Sequence, residues 1–584
     1  MKFLFTLFIS CFFIAQAQAQ GFLRADGKHI VNERNEPVIL RGMGLGGWML
    51  QEGYMLQVGN LGQQHAIKGK IQELIGPEKT AEFYDAWLAN HVTKADIDAM
   101  ASWGFNSVRL PMHYNLFTLP VEDEPVPGKN TWLDKGFALT DQLLAWCKAN
   151  NMYLILDLHA APGGQGNDLA ISDRDPNKPS LWDSAANQQK TVALWKKLAE
   201  RYKDEPWIGA YDIINEPNWG FTDAADKNGC KEQKNEPLKQ LLVDVTKAIR
   251  AVDSRHMIIV EGNCWGNNYN GIMPLWDDNM VVSFHKYWND NTPDTIEQHL
   301  QLRDKYNVPL WLGESGENSN VWFRDAIQLV ESHGIGWAFW PLKKLGFNNP
   351  LEVKPNPGYV ALVDYWHGRG PKPTARAAYQ ALMQLAREDI RFENSIPHPD
   401  VVDAMLRQPH DDATRPYKIH SLDKKGGKIA AVDYDMGRNG YAWFDTDVAN
   451  YHVSTGAERS AWNHGRVYRN DGVDIAEDTG AAQNWYVNRI DTSEWLQYTV
   501  RAASAGNYRL RLRVSAETAP GKIAVSINND LINILDVPVT GGAAQWKTFD
   551  LTGIPLMRGN NVVVLRAEQG GYNLSALEFI WATN

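Results

Sequence analysis

Ile213-Ile214-Asn215-Glu216-Pro217 and Trp311-Leu312-Gly313-Glu314-Ser315-Gly316 are each a short apolar run that ends in a glutamate. An apolar run of that length reads as a fully buried strand. A carboxylate does not belong inside such a strand. Each glutamate is therefore expected at the strand's C-terminal end, facing an open site. Working outward from these two, strand-like apolar runs alternate with helical patterns from about residue 22 to 393. Eight strands are expected: Val38–Gly44, Ser107–Pro111, Tyr153–His159, Ile208–Glu216, Met257–Gly262, Met280–Tyr287, Pro309–Glu314 and Gly336–Leu342. Eight such repeats predict an α/β fold, a (β/α)8 TIM barrel with enlarged loops. An open doubly wound sheet would bring a glycine-rich phosphate turn that opens a helix. Gly42-Met43-Gly44-Leu45-Gly46-Gly47 opens no helix and reads as a tight loop after the first strand.

The rest of the chain divides by composition. Residues 1–20 read as a signal peptide: Met1-Lys2, an apolar stretch from Phe3 to Ala15, then Ala-x-Ala cleavage sites up to Gln20. The chain is thus expected to be secreted or periplasmic, with no membrane span. The barrel is expected over 21–393. A proline-bearing linker or strap follows at 394–427, with Pro397, Pro399, Pro409 and Pro416. Residues 428–584 alternate in short strands, as in Tyr508-Arg509-Leu510-Arg511-Leu512-Arg513-Val514, and predict an all-β jelly-roll sandwich. A net charge of -11 argues against a nucleic-acid partner. The 23 tryptophans fill cores or stack sugars, according to where they lie. Of three cysteines beyond residue 20, Cys147 sits in a helical pattern, and the pairing of Cys230 with Cys264 is left open. A monomer is expected.

Strand C-termini of a barrel converge on one face. Collecting them brings together Arg109, Asp157, His159, Asn215, Glu216, His285, Tyr287, Glu314 and Trp340. Two glutamates far apart in sequence, with a cation, an amide, imidazoles and an aromatic floor, are what retaining glycoside hydrolysis needs. Taken singly, Arg109 reads as an ion-pair partner, His285 as an interior histidine and Trp340 as core. Together with two strand-end glutamates they read as a site. Glu261, ending the fifth strand, is the decoy. No His-x-x-x-His or Cys-x-x-Cys spacing occurs, so no metal and no cofactor is expected.

The barrel region resembles glycoside hydrolase family 5. The motifs are Arg109 in Val108-Arg109-Leu110-Pro111, His159 in Asp157-Leu158-His159, Asn215-Glu216-Pro217, His285-Lys286-Tyr287, Glu314 in Leu312-Gly313-Glu314, and Trp340. The resemblance implies a retaining mechanism with Glu216 as acid/base and Glu314 as nucleophile. Arg109, His159, Asn215, His285, Tyr287 and Trp340 would bind substrate. The first loop, Leu45-Gly46-Gly47-Trp48-Met49-Leu50-Gln51-Glu52, resembles the family's exo-acting β-1,3-glucanases. It suggests Trp48 as a substrate platform, with Trp182, Trp219, Trp265 and Trp288 as others on the same face. The expected substrate is a β-glucan polysaccharide or oligosaccharide, with β-1,3 linkages favoured over β-1,4. Mannan or xyloglucan hydrolysis, transglycosylation, and a non-catalytic glycan-binding protein are the alternatives. Residues 428–584 resemble carbohydrate-binding module family 6, where Tyr468 and Asn573 match sugar-binding positions. The clamp tryptophan of that family is matched by Ala543, and its calcium-site glutamates by Ala430 and Val432.

Overall fold

The computed structural model describes residues 21–478 and 485–582. The expected signal segment, 1–20, lies outside them. Eight parallel strands close into a barrel in chain order: β1 (Arg41–Gly44), β2 (Ser107–His113), β3 (Tyr153–Ala160), β4 (Ile208–Asp212), β5 (Met257–Glu261), β6 (Met280–Lys286), β7 (Leu310–Gly316) and β8 (Gly336–Trp340). β8 pairs with β1 through Trp337, Ala338 and Phe339, which completes the ring. β2 through β8 are buried along their whole length, as parallel strands covered on both faces must be. All eight expected strands are present. Several are trimmed at one end, β1 starting at Arg41 and β8 ending at Trp340, and the largest difference is at β4, which stops at Asp212 and leaves Glu216 four residues beyond it. The backbone there still follows the barrel, with Asn215 N–H donating to the Leu158 carbonyl at 3.1 Å.

The glycine-dense segment after β1 has a steric cause. A Cβ on Gly44 or Gly46 would stand 2.4 or 2.6 Å from the Trp340 indole. Only glycine lets this loop lie against that ring.

Residues 394–419 form a strap, and strand His420–Leu422, expected within it, belongs instead to the sandwich, where it pairs with strand Trp495–Ala502. The strap's helix Pro399–Leu406 packs on helix Asn320–Ser332 of the barrel. Beyond it stands a β-sandwich of two six-stranded sheets, antiparallel apart from one pairing. The alternating run 508–514 lies in strand Gly506–Ser515, with Tyr508, Leu510, Leu512 and Val514 turned into the core. Trp443 is core as well, at 1% exposure. Among the described residues no helix is long and apolar enough to cross a membrane.

The two domains are joined by buried polar contacts. Asn318 Nδ2 donates to the Asn450 carbonyl (2.7 Å), and Asn450 N–H donates back to Asn318 Oδ1 (3.0 Å). Asn320 donates to Asp400 (2.8 Å) and Asp471 (3.0 Å), and Asn470 Nδ2 donates to the Asn318 carbonyl (3.0 Å). Asn318, Asn320, Asn450 and Asn470 are each at most 2% exposed. Val321 of the barrel helix packs into the sandwich core.

Candidate active site

The strand ends deliver the expected residues to one place. Arg109, midway along β2, is fully buried. Its guanidinium donates to Glu314 Oε1 (2.5 Å), Asn215 Oδ1 (2.8 Å), Asp212 Oδ2 (3.0 Å) and Glu261 Oε1 (3.2 Å), with Asp157 at 3.3 Å. A planar fork with this many donors can orient several acceptors at once.

Above it, a carboxylate oxygen of Glu216, one of Glu314 and a ring nitrogen of His285 lie within 4.8 Å of one another. His285 Nδ1 is 2.7 Å from Glu216 Oε1 and 3.7 Å from Glu314 Oε2. Its Nε2 is 3.2 Å from Glu261 Oε1. Tyr287 O–H donates to Glu314 Oε2 at 3.1 Å. Asn215 is clamped between Arg109 and His159, whose Nε2 is 3.3 Å from Asn215 Nδ2, and His159 Nδ1 is 2.8 Å from Asp157. Trp340 lies parallel to His159 at 5.0 Å and donates its indole N–H to the Tyr54 hydroxyl at 2.9 Å. The backbone at Glu216 is left-handed, with φ 44°. Such strain in a non-glycine residue persists only where the surroundings enforce it. Here Glu216 N–H is bound by Glu261 Oε2 at 2.7 Å.

The two carboxyls are driven apart electrostatically. Burial raises Glu216, the neighbouring Glu314 charge adds to it, and the His285 contact only partly opposes them, so its carboxyl is pushed up to about 7. Burial would raise Glu314 too, but His285, Arg109 and His159 outweigh it and hold that carboxyl below the usual range. Burial opposes charge on His285, yet Glu261 and Glu314 raise it well above the ordinary imidazole. Glu261, the decoy, is thus a buried anion that holds Arg109, His285 and the Glu216 backbone.

Trp48 is a correction. It is 1% exposed, and its indole N–H donates to the Leu88 carbonyl at 2.8 Å, so it is core beneath the loop and offers no face to a substrate. Trp288 is half-buried, with the Arg459 guanidinium 3.7 Å over its ring and His452 at 5.0 Å. Trp182 is tied by its indole to the Gln165 carbonyl (2.9 Å), and Trp219 carries Arg174 at 4.8 Å over its ring. Trp265 stands beside Asp168, on a turn joined by a disulfide between Cys264 and Cys230; Cys147 is a buried thiol.

Sequence reasoning missed Glu52, Tyr54, Glu317 and Lys344. Burial, with Glu314, Glu317, Glu216 and Asp168 around it, pushes the Glu52 carboxyl well above its usual range. Lys344 Nζ donates to Glu317 Oε1 at 2.8 Å. Glu317 follows Glu314 by three residues, the only cue the chain offered.

In the sandwich, Tyr468 and Asn573 are already engaged. The Tyr468 hydroxyl bonds Asp433 and accepts from Lys418 at 2.5 Å, and its ring lies 4.7 Å from Trp485. Asn573 Nδ2 donates to Ser515 Oγ (3.1 Å) and the Ala543 carbonyl (3.3 Å).

Comparison with known proteins agrees with this geometry. Residues 67–346 match Cellulase (glycosyl hydrolase family 5). Residues 469–579 match Carbohydrate binding module (family 35), which replaces the expected family 6. The chain is 27% identical over 432 residues to a beta-xylosidase of Phanerodontia chrysosporium, covering 65% of this chain and 85% of that one. It is 26% identical over 322 residues to endoglucanase C of Acetivibrio thermocellus, covering 44% and 85%. It is 29% identical over 285 residues to a probable glucan 1,3-beta-glucosidase A of Aspergillus clavatus, covering 48% and 63%. Among solved structures, rutinosidase from Aspergillus niger overlays with a TM-score of 0.43 at 18% identity, over 52% of this chain and 90% of that one. The barrel of this chain belongs to glycosyl hydrolase family 5, and the protein is a glycoside hydrolase with a family-35 carbohydrate-binding module on its C-terminal side.

Proposed function

We propose that the protein is a secreted or periplasmic retaining β-glucan hydrolase that prefers β-1,3 linkages, with Glu314 as nucleophile and Glu216 as acid/base. The observation that carries the mechanism is the separation of the two carboxyls. One oxygen from each lies within 4.8 Å of the other, which suits a retaining pair at about 5–5.5 Å and leaves no room for the water of an inverting enzyme. In this reading Glu216 enters protonated and gives its proton to the leaving oxygen. Glu314, ionised and aligned by Arg109 and Tyr287, attacks the anomeric carbon. Glu216, now a base, activates the water that releases the sugar. Asn215, fixed by Arg109, is placed for the sugar 2-hydroxyl, and Trp340 for the ring of the sugar that is cut.

The long loop after β3 is firmly seated beside the site: Gln165 Nε2 ties it to the Asn215 carbonyl (2.8 Å), and Asp173 anchors it to His113 (3.0 Å) and His65 (2.7 Å).

The test is product release from laminarin, lichenan, carboxymethylcellulose, glucomannan, xyloglucan and xylan, with the Glu314→Gln protein as control. Short oligomers from laminarin alone are the expected result. A ladder from a β-1,4 glucan would overturn the linkage. Binding without turnover on every substrate would overturn the mechanism in favour of a glycan-binding protein.

A further inference from the structure

The sandwich sends an arm, residues 450–470, over the rim of the barrel. Its base is fixed by the buried contacts of Asn450 and Asn470 with Asn318, four residues beyond Glu314. Val453 N–H donates to the Trp288 carbonyl (3.0 Å), and Asp290 N–H donates to Ser454 Oγ (2.7 Å). Trp462 lies 6.2 Å from Phe347 in the loop after β8. Between these anchors, Arg459 lays its guanidinium 3.7 Å over Trp288. Trp288 in turn donates its indole N–H to the Glu317 carbonyl at 3.1 Å.

The side of the cleft follows from the strand order. Glu216 follows β4, and the leaving group must lie on its side, over the loops that carry Trp219 and Trp265. Trp340 ends β8, opposite β4 in an eight-stranded ring. The glycone therefore extends over the β7, β8 and β1 loops, past Glu317, Lys344 and Tyr54. Arg459 borders this end. Its nearest acidic groups are Glu317 and the Tyr54 hydroxyl, and Arg466 is the cation beside it.

Among the described residues Arg459 has no carboxylate partner and no hydrogen bond. Its side chain is exposed, and its guanidinium lies on the indole beneath it. A guanidinium lying on an aromatic face, with its N–H groups unspent, is a ready donor for vicinal hydroxyls. We infer that the C-terminal module completes the catalytic cleft, and that Arg459 is a specificity-determining residue that donates to the hydroxyls of the glycone sugar one unit beyond the sugar being cut. This rests on the retaining glycosidase reading for its orientation. It gives the module a task in the cleft itself, separate from any sugar site of its own.

The test compares wild-type, Arg459→Ala and Arg459→Lys full-length proteins on an aryl β-glucoside and the matching aryl β-laminaribioside. Arg459→Ala should lose about tenfold or more in kcat/KM on the disaccharide glycone, the scale of a lost charge-assisted bond. The monosaccharide should change by less than about twofold, and the melting temperature should hold. Arg459→Lys should recover only part of the loss. Equal loss on both substrates, or none on either, overturns the assignment. A merely structural Arg459 would lower the melting temperature and leave the ratio of the two substrates untouched. An inert wild type would count against the glycosidase reading instead. The subsite is then read by calorimetric titration of laminaribiose into wild-type and Arg459→Ala proteins, where equal affinity, or none, overturns it.

Discussion

Glu216 and Glu314 share one cavity and one set of neighbours, yet their carboxyls are pushed in opposite directions, and the difference is made by position. Glu314 lies directly on Arg109 at 2.5 Å, while Glu216 meets only His285, whose charge is already claimed by Glu261 and Glu314. The sign of the pH dependence follows. Turnover needs Glu216 protonated and Glu314 ionised. Activity should therefore fall above about pH 7 as Glu216 loses its proton, and fall on the acid side only below the ordinary carboxylate range as Glu314 gains one. The pH profile of kcat/KM reads both limbs, and a flat alkaline limb would remove Glu216 from the acid role. Glu314→Gln should lose at least about a thousandfold in kcat while circular dichroism stays unchanged. Glu216→Ala should slow glycosides with poor leaving groups far more than activated aryl glycosides, which depart without a proton. An equal loss on both would contradict general acid catalysis. These two residues were legible in the sequence because each closes an apolar run within a motif that also carries its neighbours, Asn215-Glu216-Pro217 and Leu312-Gly313-Glu314; a carboxylate closing an apolar run was not enough by itself, since Glu261 does the same and serves as a buried ion partner. Glu52 was not legible, since its burial depends on how the first loop folds over the cleft.

At the scale of elements, the barrel was readable because each buried parallel strand is a continuous apolar run. The strands are found where those runs lie. What could not be read was the fate of loop aromatics. Trp48 follows β1 in a loop that should face solvent, but that loop packs inward and spends the indole N–H on Leu88, a partner from a helix forty residues on. Over Trp288 lies Arg459, from the far domain. Periodicity sees neighbours along the chain and no further. The loops that frame the leaving-group side carry a testable restraint. The Cys230–Cys264 bridge spans 34 residues and restricts the unfolded chain by about 3–4 kcal/mol on loop-closure grounds. Replacing both by serine should lower the melting temperature. It should also raise KM more than it lowers kcat, because Trp265 adjoins Cys264 and the reacting carboxyls do not.

The molecule as a whole is bound together by amides. Asn318, Asn320, Asn450 and Asn470 bury their side chains between barrel and sandwich, and an orphaned partner there costs about 1–3 kcal/mol. Asn318→Ala should therefore destabilise both domains at once. Calorimetry on the intact protein should show one joint unfolding transition, and two separate ones would mean that the domains are merely tethered. The segment from Glu314 to Asn320 is common property: its first residue faces the anomeric carbon in the proposed mechanism, and its last holds the module. The join between the domains is therefore not a plain tether: cut within the connecting segment, each half would keep buried amides that have lost their partners.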